Sequence, residues 1–177
     1  MKKIAKIFAL FIAVLGLVGL VACGEKTPPV VDEPVQPYNA LGSFVEGGDG
    51  VYDITTNSAS ELTFSYDKVD EALAWSHIYT EISADAALEN YKKLVITAKG
   101  SGTMMIKIEG ADGAAREVSI NVQSNATTYD WNLMNDAEFL KGVTKIVIFG
   151  APGKAESVGN ITITSLTFDE SVFLSTS

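Results

Sequence analysis

Much of this chain consists of short segments in which apolar and polar residues alternate with a period of two, and this pattern limits the folds that it can adopt. The alternation is clearest in residues 94–99, 104–109 and 117–123, and it recurs less strictly in 145–149 and 161–168. Gly, Asn, Asp or Ser residues bound these segments. Because successive side chains of a strand point to opposite faces, the pattern predicts half-buried β-strands.

The remaining segments complete an all-β prediction. Three earlier stretches look like strands as well: residues 50–54, 61–66 and 73–82. Helical signal is confined to two short leads into buried strands, residues 83–90, with Ser83 or Asp85 as the N-cap, and residues 136–141. About eight short strands separated by turns predict a two-sheet antiparallel sandwich, and we favour its jelly-roll form.

The N-terminus reads as an export signal. Lys2, Lys3 and Lys6 precede an uncharged apolar stretch over residues 7–21, which is short for a membrane span and ends in Leu-Val-Ala-Cys at Cys23. This ending resembles the lipobox of bacterial lipoproteins, which implies that residues 1–22 are a signal peptide and that Cys23 receives a lipid. An uncleaved signal anchor is the alternative, and the absence of a following stop-transfer pattern weighs against it.

Lipidation would place the protein on the outer, extracellular face of the cell membrane. Cys23 is the single cysteine, so no intrachain disulfide is expected. Without the three leader lysines, the 13 basic residues fall to 10 against 22 acidic ones. Such an excess of negative charge argues against nucleic acid and against anionic lipid as partners. We therefore expect contact with the membrane through the lipid anchor only.

Residues 23–40 are expected to form a tether between the anchor and the domain. Four of the chain's five prolines lie in this stretch, and proline-rich segments favour extended polyproline II over a packed core. The predicted domain organisation is thus a signal peptide (1–22), a lipidated tether (23–40), a β-sandwich domain (41–172) and a short tail (173–177). A domain of this length buries a substantial core.

The order of the predicted segments along the chain resembles that of a known family. A Trp-containing strand is followed by five further apolar segments: residues 74–79, then 91–100, 106–109, 128–131, 142–149 and 159–168. Over residues 44–169 this order resembles the galactose-binding-domain-like jelly rolls found as bacterial carbohydrate-binding modules. The resemblance implies a non-catalytic domain that binds sugar, often with one structural calcium ion.

One candidate sugar site lies on the Trp-containing segment. Trp75, His77 and Tyr79 alternate along it, and flat aromatic faces together with a hydrogen-bonding group suit the apolar face and the hydroxyls of a sugar ring. In the alternative interpretation Trp75 and Tyr79 face the core, because aromatic residues are usually buried, and Ser76 and Thr80 point outward.

A second candidate set follows the polar faces of two consecutive strands joined by a loop at residues 110–113. We name Lys107, Glu109 and Asn121 as its binding residues, with Glu117, Ser119 and Gln123 on the same faces. If the strands pair as a hairpin, these side chains lie next to one another. The alternative is an ordinary solvated surface. Tyr129 and Trp131 also alternate, and we expect one or both to pack in the core.

The expected calcium ion is assigned to acidic residues near the first and last strands. The resemblance places such a site where those strands meet, and Glu46, Asp53 and Asp169 are the acids proposed as ligands. Calcium takes six to eight oxygen ligands, including backbone carbonyls. The acids do not have EF-hand spacing.

An enzyme is the weaker interpretation. The sequence contains no catalytic cysteine, no Cys/His zinc set, no glycine-rich phosphate loop and no Gly-x-Ser-x-Gly motif. The leading hypothesis is a non-catalytic surface lipoprotein that binds an oligo- or polysaccharide. The competing hypothesis is a structural or protein-interaction sandwich without a sugar site, and the exposure of Trp75 or Tyr79 distinguishes the two.

Overall fold

The computed structural model describes residues 35–170, which form eleven strands and one short α-helix. The strands are β1 (Tyr38–Asn39), β2 (Val45–Glu46), β3 (Tyr52–Ser58), β4 (Glu61–Lys68), β5 (Ile78–Glu81), β6 (Lys93–Gly100), β7 (Gly102–Gly110), β8 (Ala115–Val122), β9 (Thr127–Asn132), β10 (Val143–Gly150) and β11 (Ser157–Asp169). The helix is α1 (Ala137–Leu140), and 3₁₀ turns occupy Glu71–Leu73, Ala84–Ala86 and Leu88–Asn90. Ser83 caps the second of these turns by accepting a hydrogen bond from the Asp85 backbone N–H, as predicted.

The strands form two sheets. Sheet I has the order β3-β4-β11-β6-β9, with β1 paired to the far end of β11, and sheet II has the order β2-β5-β10-β7-β8. All of these pairings are antiparallel. The predicted all-β, two-sheet antiparallel sandwich is confirmed.

The period-two pattern separates the core from the two outer faces. Leu94, Ile96 and Ala98 of β6 are buried, as are Ile106 and Ile108 of β7, whereas the residues between them face outward. The facing apolar rows of the two sheets make one core. Burial of these rows supplies the main stabilisation of the fold, at roughly 25 cal/mol per Å² of apolar surface.

A bulge in β11 explains an irregularity in the sequence. Ile161 and Ile163 are buried, and so are Leu166 and Phe168, although the two pairs differ in parity. The register with β6 shifts between Ile163 and Ser165. Because a bulge inserts one extra residue, it returns the later pair to the core face.

The predicted strand over residues 73–82 is shorter than expected. Strand β5 begins only at Ile78, and Glu71–Leu73 forms a 3₁₀ turn capped by the Asp70 side chain, which accepts a hydrogen bond from the Leu73 N–H. Trp75 and His77 therefore lie on the segment that enters β5 rather than within a strand. Local capping outweighs the alternating pattern here.

The sandwich begins slightly before the predicted boundary at residue 41. Tyr38 and Asn39 pair with Phe168 and Thr167 of β11, and the Ala40 N–H donates to the Leu166 carbonyl. The Tyr91 hydroxyl also donates to the Gln36 carbonyl at 2.8 Å, so residues 36–40 contact the sandwich. The signal peptide, Cys23 and the tail over 173–177 lie outside the described residues. Within residues 35–170, no helix combines the length and apolar character needed to cross a membrane.

Candidate functional site

Both candidate sugar-binding sets lie on the outer face of sheet II. Tyr79 of β5 pairs with Val147 of β10, Val147 pairs with Lys107 of β7, and Lys107 pairs with Glu117 of β8. These four residues form one cross-strand row, and residues directly opposite one another in a sheet share a face. The fold therefore brings together side chains that lie far apart in the sequence, from Tyr79 to Val147.

Trp75 stands out from this face. Its side chain is 60% exposed, which is unusual because tryptophan is highly buried on average. The indole meets the Phe149 ring edge-on, with 6.0 Å between centroids and an interplanar angle of 84°. The alternative in which Trp75 and Tyr79 face the core is wrong, because Ser76 and Thr80 are the buried residues of this segment.

Three rings, Trp75, His77 and Tyr79, lie at the surface around the buried ring of Phe149, and we call these three the aromatic platform. The His77 ring lies 5.3 Å from that of Phe149 and 6.2 Å from that of Tyr79. Met105 and Val147 are buried beneath it with Phe149 and form a second apolar cluster outside the main core. The platform thus has a packed base, which limits the rotamers available to its rings.

The backbone around Trp75 is held by a buried hydrogen-bond network. The Ala74 carbonyl accepts from Lys68 Nζ at 2.9 Å and from the Gly153 N–H at 3.0 Å. The Ser76 carbonyl accepts from the Tyr52 hydroxyl at 2.8 Å. The backbone on both sides of Trp75 is therefore held, and the contact with Phe149 orients the indole. A preorganised side chain loses less entropy when it binds.

The electrostatics of this network follow from burial. Lys68 is only 1% exposed, and within residues 35–170 it forms no ion pair. Burial without an opposite charge lowers the pKa of Lys68 to about 8. Burial also raises the pKa of Tyr52, so this phenol stays protonated and keeps donating its hydrogen bond.

Part of the Tyr79 ring is already in contact with a neighbouring side chain. Lys145 Nζ lies 4.6 Å from the centre of its ring, which is a cation–π contact. His77 Nδ1 lies 3.4 Å from the Trp75 carbonyl. Trp75 is therefore the ring with the most surface available to a ligand, and His77 and Tyr79 support it.

The polar residues form a strip beside the platform, which we call the polar strip: Lys107, Glu109, Glu117, Ser119 and Asn121. Lys107 Nζ and Glu109 Oε1 are 2.6 Å apart. The Thr103 hydroxyl donates to Asn121 Oδ1 at 3.3 Å. Exposed amide, hydroxyl and carboxylate groups of this kind supply both donors and acceptors to a polyhydroxylated ligand.

The three acids predicted to bind calcium are not brought together. Glu46 accepts hydrogen bonds from the Gly48 and Val51 N–H groups, and Asp169 lies 3.8 Å from Lys93. Among residues 35–170, no group of three or more acidic, histidine or cysteine side chains is arranged to hold a metal ion. Glu46, Asp53 and Asp169 therefore do not fit calcium as one set, and the ion itself stays a prediction from the resemblance.

Phe149, Val147 and Met105 belong to the candidate site although the sequence does not single them out. The available signal was the unbroken apolar run at residues 146–149. A strand that is apolar at consecutive positions is covered on both faces. In β10, one face contacts the core and the other forms the base of the aromatic platform.

Comparisons with known proteins give structural matches only. No family model matches the chain, and no curated protein does. A family 11 carbohydrate-binding module of the cellulosomal cellulase Lic26A-Cel5E of Clostridium thermocellum matches with a TM-score of 0.58 and 11% identity, over 81% of this chain and 99% of that one. The module BiXyn10A CBM1 matches with a TM-score of 0.53 and 15% identity, over 79% and 100%.

A variant of the family 29 module CBM29-2, complexed with cellulohexaose, gives a TM-score of 0.51 and 14% identity, over 75% of this chain and 89% of that one. At these identities the likeness shows the fold. The two sheets are those of the jelly-roll sandwiches seen in carbohydrate-binding modules, so the predicted jelly roll is confirmed.

Proposed function

We propose that this protein is a non-catalytic module that binds an oligo- or polysaccharide on the outer face of sheet II. The observation that carries the proposal is Trp75, a mostly exposed indole whose flanking carbonyls are fixed by buried donors. An exposed ring held in one place offers an apolar surface to the C–H face of a sugar at low entropic cost.

The arrangement of the face suits a chain rather than a single sugar. The aromatic platform begins at β5 and the polar strip ends at β8, three strand spacings away, or roughly 14 Å. A glycan lying across the strands would stack on Trp75 and direct its hydroxyls toward Lys107, Glu109 and Asn121. The structural neighbours include carbohydrate-binding modules, one of them complexed with cellulohexaose, which supports carbohydrate as the class of ligand.

We further propose that the module is lipid-anchored through Cys23 on the outer face of the cell membrane, where it would capture polysaccharide or attach the cell to it. The support is the sequence of residues 1–23. Metabolic labelling with an alkyne fatty acid tests this. The label should enter the wild-type protein and be lost in Cys23→Ala, and retention of label in that variant would contradict the anchor.

A glycan array probed with the purified protein, with and without calcium, tests the binding function. We expect saturable binding to one class of glycan. Binding that disappears in EDTA would add support for the predicted calcium ion. If a folded sample binds no glycan, the structural or protein-interaction hypothesis replaces this one.

Trp75→Ala tests the assignment of the site. We expect at least a tenfold loss of affinity for the glycan found on the array, about 1.4 kcal/mol or more, with little change in the thermal midpoint because the side chain is mostly exposed. Val158→Ala is the matched control, since it truncates an exposed apolar residue of sheet I (78% exposed) and should bind as the wild type does. Isothermal titration calorimetry and thermal unfolding give the two readouts.

A further inference from the structure

A second opening lies at the edge of the sandwich, next to the polar strip. Strands β8 and β9 are the last strands of sheets II and I, and a cavity of about 450 Å³ opens between them. We call it the edge groove, and the residues that matter for its chemistry are Ser119, Asn121, Gln123, Tyr129, Asp130 and Trp131. Its volume is in the range of small-ligand pockets.

Two aromatic residues form one wall of the edge groove. Tyr129 and Trp131 pair with Ile96 and Leu94, whose side chains are in the core, so both rings point toward the interior of the sandwich. Because β9 is a sheet edge among the described strands, the rings pack against the core yet stay only partly buried. The groove thus offers an aromatic surface that the core does not fully cover.

The polar groups of the groove suit an uncharged, hydroxylated ligand. Its lining contains two amides, two hydroxyls and one carboxylate but no lysine or arginine. Within residues 35–170, the Ser119 hydroxyl takes part in no hydrogen bond. An anion would find no opposite charge in the lining, whereas sugar hydroxyls would find both donors and acceptors.

At Asn121, the edge of β8 has no free backbone carbonyl with which an added peptide strand could pair. The Asn121 carbonyl already accepts hydrogen bonds from the Tyr129 hydroxyl at 2.9 Å and from Gln123 Nε2 at 3.1 Å. Strand addition needs free backbone groups along the edge. A ligand bound by side chains therefore fits this groove better than a ligand bound through the backbone.

We propose that the edge groove is a second subsite for the same glycan chain, with Trp131 as its stacking residue. The inference rests on the proposed function, and it extends the binding surface around the edge of β8. Ser119 and Asn121 belong both to the polar strip and to the groove lining. A chain that leaves the polar strip over these residues enters the groove directly.

The two tryptophans of the chain make the test direct, because each lies at one of the two sites. In Trp75→Phe the fluorescence comes from Trp131 alone, and in Trp131→Phe it comes from Trp75 alone. Both substitutions keep an aromatic ring, and thermal unfolding checks that both variants are folded. The probes are cellohexaose, xylohexaose and mannohexaose, and acrylamide quenching reports whether each indole becomes covered.

We expect one of the hexasaccharides to protect both indoles from acrylamide. Protection of Trp75 without protection of Trp131 overturns the groove subsite and leaves the proposed function intact. Protection of Trp131 alone supports a sugar site in the groove and overturns the site assigned to the sheet II face. Protection of neither overturns both proposals.

Gln123→Ala provides a second test that leaves the aromatic wall in place. Gln123 is exposed and lines the groove but is not part of the aromatic platform. We expect the affinity of the Gln123→Ala variant for the bound hexasaccharide to be severalfold lower than that of the wild type, while Trp75 stays protected from acrylamide at saturation. An unchanged affinity together with an unprotected Trp131 would overturn the proposal.

Discussion

At the scale of single residues, one oxygen atom connects the two sheets beneath the proposed site. The Tyr52 hydroxyl, from β3 of sheet I, donates to the Ser76 carbonyl and accepts from the Gly150 N–H at 2.8 Å. Both backbone groups belong to the sheet II side of the core. The position of Trp75 therefore depends on a residue that no ligand would touch.

Tyr52→Phe should destabilise the protein by about 1–3 kcal/mol, because it leaves a buried carbonyl and a buried N–H without partners. We expect weaker glycan binding as well, since the Ser76 carbonyl loses its anchor. Urea unfolding measures the first effect and calorimetry the second.

The control for this substitution is Tyr66→Phe, which removes a hydroxyl that forms no hydrogen bond within residues 35–170. Tyr66→Phe should lower the free energy of unfolding much less than Tyr52→Phe does. Equal losses in the two variants would show that ring packing, rather than the bridging hydroxyl, accounts for the role of Tyr52.

At the scale of elements, the end of β10 and the start of β11 both come so close to the Tyr66 side chain that only glycine fits there. A Cβ atom at Gly150 would overlap the Tyr66 ring, and one at Gly159 would overlap the Tyr66 hydroxyl. Tyr66 is itself buried on β4. Glycine here allows sheets I and II to approach each other around a large core side chain.

Gly150→Ala should destabilise the sandwich by about 1–3 kcal/mol through overpacking against a ring that has no room to move. Gly142→Ala is the matched control, because a Cβ there would meet only the Phe139 carbonyl at 3.7 Å, an ordinary contact. Thermal and urea unfolding compare the two. A Gly150→Ala protein as stable as Gly142→Ala would contradict the packing argument.

At the scale of the whole molecule, the buried Lys68 links stability to pH. Its ammonium donates to the Ala74 and Ala151 carbonyls, and burial lowers its pKa from 10.5 to about 8. Below pH 8 both folded and unfolded chains carry the proton, and the full cost of burying the charge is present. Between pH 8 and 10.5 only the unfolded chain keeps the proton, so stability rises with pH.

We therefore expect the free energy of unfolding to rise by about 1–2 kcal/mol between roughly pH 7.5 and 9.5, relative to Lys68→Met. This pH range ends below the point at which the tyrosines affect stability. Burial raises the pKa of Tyr52 and Tyr66, so these phenols lower the stability only where unfolded phenols ionise, above about pH 10. Lys99→Met, at an exposed lysine, should keep the wild-type slope. Identical slopes in the wild type and Lys68→Met would contradict the assignment.

Only part of the candidate site could be predicted from the sequence, because the rest depends on how the whole chain folds. Trp75, His77, Tyr79 and the polar residues of β7 and β8 could be identified because residue type and alternation predict side chains that share one face. Of the three aromatic residues, only Tyr79 lies within a strand. Which face contacts solvent was left open by the sequence. Phe149 was missed because it looked like an ordinary core residue of β10.

The fold class, the positions of most strands and the core rows follow from the sequence alone, because each depends on local period-two burial and turn residues. The sequence also contains the signal-like N-terminus and the single cysteine. Tertiary structure alone decided that Trp75 faces outward, that the polar strip lies beside it, and that Lys68 and Tyr52 hold it there. Those outcomes arise from pairings between residues far apart in the chain, such as Tyr79 with Val147 and Lys107 with Val147, and no local pattern specifies strand order or register.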